Sequence, residues 1–310
     1  MTNTKHFMIL KRASQLAAAV ASFFAVMAVL SVAALAQKQK QKQQQPVDVL
    51  ALPAPDSVDS AKATTIADPV EDSTIAAAWG AIATDRTLVA EYQKIIAIYK
   101  TRKLPEQEYE VATKMMTANA GSPIAWFTYA DVMLDNSEPD TAIFWLQRAL
   151  IVDPSFVRAH TLLAEAWGMM DSTGRAIAHL DTAIALNPRF AQSYLQRANL
   201  FSKLKRYNEA AQDLQSLVEL IPENVGNWMR LGAMLANAGN HLDAAETFRT
   251  IMAMHPAMPD PLFRFAEESV AAGNSEEGMR AYEKFMLTFP TDSRALEAER
   301  RARAMGGGRP

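Results

Sequence analysis

Leu214, Leu217, Val218 and Ile221 recur at i, i+3, i+4 and i+7, the spacing that lines one face of an α-helix. Apolar stripes of this kind run through the second half of the chain. Polar breaks interrupt them at Asn136-Ser137, Asp171-Ser172, Lys205-Arg206, Gly239-Asn240 and Gly273-Asn274. The pattern predicts helices of about 14 residues joined by short turns, neither of which can hide its apolar stripe alone.

A second periodicity sits on top of the first. Pro154, Pro188, Pro222, Pro256 and Pro290 follow one another at intervals of 34 residues. A fixed period in this range marks a stacked repeat architecture. Proline lacks an N–H and disfavours helical geometry in the residue before it, so each one closes a helix. Twelve residues before each proline stands a small residue: Ala142, Ala176, Ala210, Ala244 and Gly278. Eight residues before it stands a large one: Leu146, Leu180, Leu214, Phe248 and Tyr282. Antiparallel helices need the small column where their backbones approach, and bulky knobs elsewhere. Trp126, Tyr194 and Trp228 serve as further knobs.

These columns resemble the tetratricopeptide repeat. The fullest match is Ala191 to Pro222, with Tyr194, Ala198, Asn199, Phe201, Tyr207, Glu209, Ala210, Leu214 and Pro222 at the family's positions. The unit beginning at Val225 adds Trp228, Leu231, Gly232, Ala244, Phe248 and Pro256. The resemblance implies an all-α fold, a right-handed superhelical solenoid of antiparallel helix pairs. Its five units would cover residues 123–156, 157–190, 191–224, 225–258 and 259–292. Arg197 departs from the pattern at a position usually apolar, where its stem can lie on apolar surface while the guanidinium reaches water. Gly278 departs too, and weakens its helix intrinsically.

Upstream, Ile75 to Ala120 reads as two helical stretches, the first holding Trp79, Tyr92, Ile95, Ile96 and Tyr99, the second Tyr109, Val111 and Met115. Residues 74–122 are therefore expected to form a degenerate repeat that caps the array. Downstream, residues 293–305 read as a polar capping helix with Leu296 and Ala298 facing inward. A short tail, 306–310, ends the chain.

The N-terminus has a different character. Residues 1–12 carry Lys5, Lys11 and Arg12 and no acid; residues 13–36 carry no charge. The run closes on Ala34-Leu35-Ala36, small residues at the spacing a signal peptidase accepts, which resembles a bacterial secretory signal cut before Gln37. It is also long enough to span a bilayer, and a retained membrane anchor stays open as a second reading. Residues 37–73, rich in Gln and Lys and then Pro, lack the apolar content to offset ordering entropy and read as a linker.

Composition removes several functions. The 310 residues include no cysteine, which excludes disulfides, thiolate metal sites and thiol nucleophiles. Net charge is −3, and loss of residues 1–36 would leave 28 basic against 34 acidic residues, so no basic excess points to nucleic acid. Of the five histidines, no two lie three or four apart, so no single helix presents an imidazole pair to a metal. Gly306–Gly308 lacks the Lys-Ser/Thr that completes a phosphate loop, and no nucleophile elbow or dinucleotide fingerprint occurs. Glu267-Glu268 and Glu276-Glu277 read as exposed helix or turn residues. Met115, Met116, Met133 and Met234 read as core filling. No catalytic residue, cofactor or metal is expected.

What remains is a surface. In the tetratricopeptide family the first helices line a groove that holds peptides or partner helices. Carried over by position, that groove presents Phe127, Thr161, Leu195, Met229 and Phe263 as a row, flanked by Asp131, Asp135, Glu165, Asn199, Lys203, Asp260 and Glu267. Its expected occupant is a protein or peptide segment with apolar anchors and basic residues. The competing reading is that the chain's own N-terminal helices or tether cover the row. The expected role is a non-enzymatic scaffold or adaptor of the bacterial cell envelope, periplasmic or secreted. The alternatives are an inner-membrane-anchored cytosolic scaffold and an accessory to an envelope enzyme. Membrane contact is expected only through residues 13–36, if uncleaved.

Overall fold

The computed structural model describes residues 73–306. The leader or anchor expected over 1–36, the linker up to residue 72 and the tail beyond Gly306 lie outside the described residues. Within them are fourteen helices and no strand. In chain order these are α1 (Ser73–Thr84), α2 (Val89–Thr101), α3 (Pro105–Ala118), α4 (Pro123–Asp135), α5 (Pro139–Val152), α6 (Val157–Met169) and α7 (Thr173–Leu186). There follow α8 (Ala191–Lys203), α9 (Tyr207–Leu220), α10 (Val225–Asn237), α11 (His241–Met254), α12 (Pro259–Ala271), α13 (Ser275–Thr288) and α14 (Ala295–Gly306). Each helix lies against the next, giving an all-α superhelical repeat fold.

From α2 to α13 every first helix of a pair has 13 residues and every second helix 14. The turn between them uses a residue in the left-handed region at the same place each time: Lys103, Ser137, Asp171, Lys205, Gly239 and Gly273. The geometry is that of a Schellman ending: in the third unit Arg206 N–H reaches back to the Phe201 carbonyl at 2.8 Å. Only two of the six are glycine, so the other four hold a conformation that Cβ disfavours.

The small column lies where first and second helices touch. Ala142, Ala176, Ala210 and Ala244 are fully buried. A Cβ added to Gly278 would sit 2.4 Å from Val270 Cγ2 and 2.9 Å from the Ala266 carbonyl oxygen. Glycine there is thus a requirement of close approach rather than merely a weakening of the helix. Gly232 has the same role from the first helix, since a Cβ would meet the Phe248 ring at 2.7 Å. Leu146, Leu180, Leu214, Phe248 and Tyr282, the large column, are all buried. Met115 and Met133 are fully buried, while Met116 and Met234 are half-buried.

Over Ile75–Ala120 the structure holds three helices where the sequence pattern suggested two. The turn Asp85–Leu88 splits the first stretch: Asp85 Oδ1 accepts from both the backbone and the hydroxyl of Thr87 and ends α1. The extra helix buries Ile75, Ala78 and Ile82 and sets Trp79 edge-on to Tyr92. The α2–α3 hairpin keeps the period but inverts its sizes: Glu108 stands in the small column and Ala112 in the large one. At the other end α14 buries Ala298 and Ala302, whereas Leu296 points to solvent, 64% exposed. Leu296 was expected inward; at i+2 from both Ala298 and Arg294 it falls on the opposite side of the helix, and Ala302 takes the inward place.

Joints between successive hairpins are of two kinds. At some, a ring N–H at the fourth residue of a unit donates to a carbonyl six residues back. Trp126 Nε1 reaches Ala120 O at 2.8 Å, His160 Nε2 reaches Pro154 O at 3.1 Å and Trp228 Nε1 reaches Pro222 O at 2.8 Å. At the joints before α8 and α12 that residue is Tyr194 or Leu262, and charge does the joining. Arg197 reaches back to Asp181 at 2.5 Å; His241 meets Glu268 and Arg249 meets Glu277, both at 2.7 Å.

Candidate functional site

The first helices of consecutive pairs touch one another directly, α2 on α4, α4 on α6 and α6 on α8. Polar cross-links fix their spacing: Gln93 donates to the Thr128 hydroxyl at 2.7 Å, and Gln196 Nε2 donates to Glu165 at 3.1 Å. The residues carried over from the family lie along this face, but in two different states. Phe127, Thr161 and Phe263 are sealed by the chain itself. The Phe127 ring has Phe156 at 5.1 Å and the Arg158 guanidinium over it at 4.6 Å. The Thr161 and Ser193 hydroxyls share a buried hydrogen bond at 3.0 Å. Over the Phe263 ring lie the guanidinium groups of Arg294, just before α14, and of Arg301 on α14, at 5.0 and 5.6 Å. The row is therefore not open along its length. Leu195 and Met229, in its middle, stay half-exposed, beside the exposed Asn199 and Lys203.

Charge is unevenly spread along the same face. At the N-terminal end Lys100 Nζ lies 3.2 Å from Asp131 and 2.5 Å from Asp135. Burial works against the ammonium, but hydrogen bonding to Asp135 and the charges of Asp131 and Asp135 outweigh it and push its pKa up to about 12. Glu108 of α3 is 4% exposed; its carboxyl shares a side-chain hydrogen bond with Asp135, and its Oε1 has no hydrogen-bond partner among the described residues. Burial, then the neighbouring Asp135, raises its carboxyl to about 7. Glu165 is also raised, first by desolvation and then by Asp131 and Asp135. At the far end Glu267 is held by Arg301 at 2.8 Å and Arg264 at 3.3 Å, and Asp260 by Arg294 at 2.5 Å. Those two acids are neutralised within the chain. Glu267 and Glu268 are half-buried rather than exposed, because each meets a basic partner from a neighbouring helix.

Two clusters escaped the sequence. Arg197 does not send its guanidinium to water: Nε and Nη2 form a fork on Asp213, at 2.9 and 2.6 Å, while Nη1 takes Asp181. Burial of Asp213 outweighs that pairing and leaves its carboxyl above the ordinary value. The period could have signalled the pair, because Arg197 and Asp213 face each other across one hairpin. His160 and His179, 19 residues apart, bring their Nδ1 atoms to 3.2 Å. His160 donates its Nε2–H to Pro154, as the tryptophans at that place do, so His179 is the donor of the pair. Both nitrogens are thereby satisfied as a hydrogen bond. Among the described residues, no group of three or more His, Asp or Glu is placed to hold a metal ion.

The tetratricopeptide-repeat profile matches residues 191–224, the hairpin α8–α9. The chain thus carries a tetratricopeptide repeat over this hairpin, within an all-α superhelical repeat fold. Its solved neighbours agree in architecture. YrrB, a TPR protein with an unusual peptide-binding site, is 20% identical with a TM-score of 0.51, over 61% of this chain and 97% of its own. PilF of Pseudomonas aeruginosa is 14% identical with a TM-score of 0.51, over 68% and 96%. At these identities the likeness is one of fold. No curated protein matches the chain. Among the described residues, no helix is long and apolar enough to cross a membrane.

Proposed function

We propose that the array is a non-enzymatic scaffold whose first-helix face binds a segment of a partner protein. The observation that carries this is the contrast within one row: Phe127, Thr161 and Phe263 are sealed, while Leu195 and Met229 stay half-exposed on a face stiffened by helix-to-helix cross-links. Half-exposed apolar side chains on a pre-formed face supply apolar anchoring without a large ordering cost. Asn199 and Lys203 beside them offer polar contacts to the backbone of an extended or helical segment. YrrB carries a peptide-binding site on the same fold, which supports the reading.

The uncharged run of residues 13–36, with its Ala34-Leu35-Ala36 end, supports export to the cell envelope, and the same run supports anchoring if it is retained. Mass spectrometry of the mature N-terminus separates the two: a product beginning at Gln37 is expected, and one beginning at Met1 or Thr2 refutes cleavage. For the groove, a photo-crosslinking residue placed at Leu195 or Met229 is expected to trap a defined partner in intact cells. The same residue at Leu287, which is 84% exposed on the second helix α13, should not trap it. Equal capture at both places refutes the groove.

A further inference from the structure

Three consecutive hairpins bring four carboxyl groups to the N-terminal end of the groove: Glu108 from α3, Asp131 and Asp135 from α4, and Glu165 from α6. Among the described residues, the cation that acts on all of them is Lys100 of α2. Arg158 of α6 is stacked on the Phe127 ring instead. Among the described residues, the Glu165 carboxylate has one amide donor, from Gln196, and no ion pair. Independently, Glu108 is 4% exposed and in the field of Lys100, Asp131 and Asp135; its carboxyl shares one side-chain hydrogen bond with Asp135, yet its Oε1 meets no donor among the described residues. An acceptor so deeply buried without a donor is unfavourable, and four acids against one ammonium leave a local excess of negative charge.

Resting on the groove reading above, we propose that this end of the face receives a lysine or arginine side chain of the partner segment. Its charge lies against Asp135 and Glu165 while the apolar part of the segment reaches Leu195. The entering cation favours ionised Glu108 beneath it, so binding releases a proton from Glu108 to solvent. The groups facing Glu108 from the helices around it are Lys100 on α2 and Asp131 and Asp135 on α4. Glu165 on α6 joins the same field. This reverses the polarity of a carboxylate clamp: the site supplies acids and the partner supplies the cation. With Glu108 titrating at about 7, affinity for such a segment should fall about tenfold from roughly pH 8 to roughly pH 6.

The test is selection of a displayed random-peptide library on the immobilised full chain, followed by fluorescence anisotropy of the recovered peptides. Peptides enriched in Lys or Arg are expected. They should lose about tenfold or more when the basic residue is replaced by norleucine, and a similar factor on Asp135→Asn/Glu165→Gln protein whose circular dichroism is unchanged. The norleucine arm needs no protein variant and so stands even if the double variant fails to fold. Recovered peptides with no basic preference that are lost on Leu195→Asp protein overturn the cation pocket and leave the groove standing. Peptides indifferent to Leu195→Asp, or no recovered peptide at all, overturn both.

Discussion

Replacing Glu108 by glutamine should stabilise the N-terminal hairpin, and only above a defined pH. The residue occupies the column that holds Ala142, Ala176, Ala210, Ala244 and Gly278 in the other units, so its carboxyl enters a space those units close with a methyl group or less. Burial and Asp135 hold it at about 7 against an ordinary 4.5. The folded state therefore prefers the protonated acid. Stability is lost as pH rises from about 4.5 to about 7, and the loss is complete above that. A displacement of that size corresponds to about 3 kcal/mol at alkaline pH. Glu108→Gln keeps the shape and removes the ionisation. Repeat arrays open unit by unit, so the measurement should be local: hydrogen exchange of α2 and α3 amides, corrected for intrinsic rates. Near pH 8 the variant should exchange about a hundredfold more slowly there, while near pH 4.5 the two proteins should match. An equal difference at both values, or a variant less protected near pH 8, refutes the argument that ionised Glu108 is the destabilising species.

Lys205 is in the left-handed region without being glycine, so Lys205→Gly should raise stability by about 1 kcal/mol, read as an increased urea midpoint; a decrease refutes strain in that turn. Gly278→Ala should lower stability by roughly 2 kcal/mol through its clash with Val270 and the Ala266 carbonyl, seen as early melting of α12 and α13 by exchange. His179 has its pKa lowered below 6.5 by burial and then by His160, so the folded state favours neutral imidazole; stability is present above about pH 6.5 and is lost as pH falls below it. His179→Asn keeps a donor to His160 and should flatten that acid loss in melting curves. A variant as acid-sensitive as the parent would show that another group carries it.

The helical repeat was legible because it rests on size at fixed intervals. Proline cannot continue a helix, alanine permits close approach, and leucine or an aromatic fills the gap; each leaves a mark in the residue type. The left-handed turns were not legible as such, since Lys103, Ser137, Asp171 and Lys205 tolerate a strained backbone that only Gly239 and Gly273 advertise. The groove was legible as positions but not as exposure. Phe127 and Phe263 sit at the right places in the period, and what covers them comes from elsewhere: Phe156 and Arg158 from the next joint, Arg294 from the turn before the terminal helix and Arg301 from that helix. The pairing of Arg197 is not legible in its own helix, which shows the stem and not Asp213 on the helix opposite. Glu108 is legible in the register, as an acid in the small column, whereas its burial and its charged neighbours are set by α2 and α4 and leave no mark in its own helix.

The two kinds of joint have a mechanical consequence. Ring-to-carbonyl bonds at His160 and Trp228 join no pair of opposite charges, whereas Arg197–Asp181 and Arg249–Glu277 are ion pairs and partly solvated, and dissolved salt screens only the second kind. Neutral and ionic seams alternate along the five hairpins. In concentrated salt the array should bend at every other seam, moving as blocks of two repeats, while in dilute buffer the same polypeptide stays uniformly stiff.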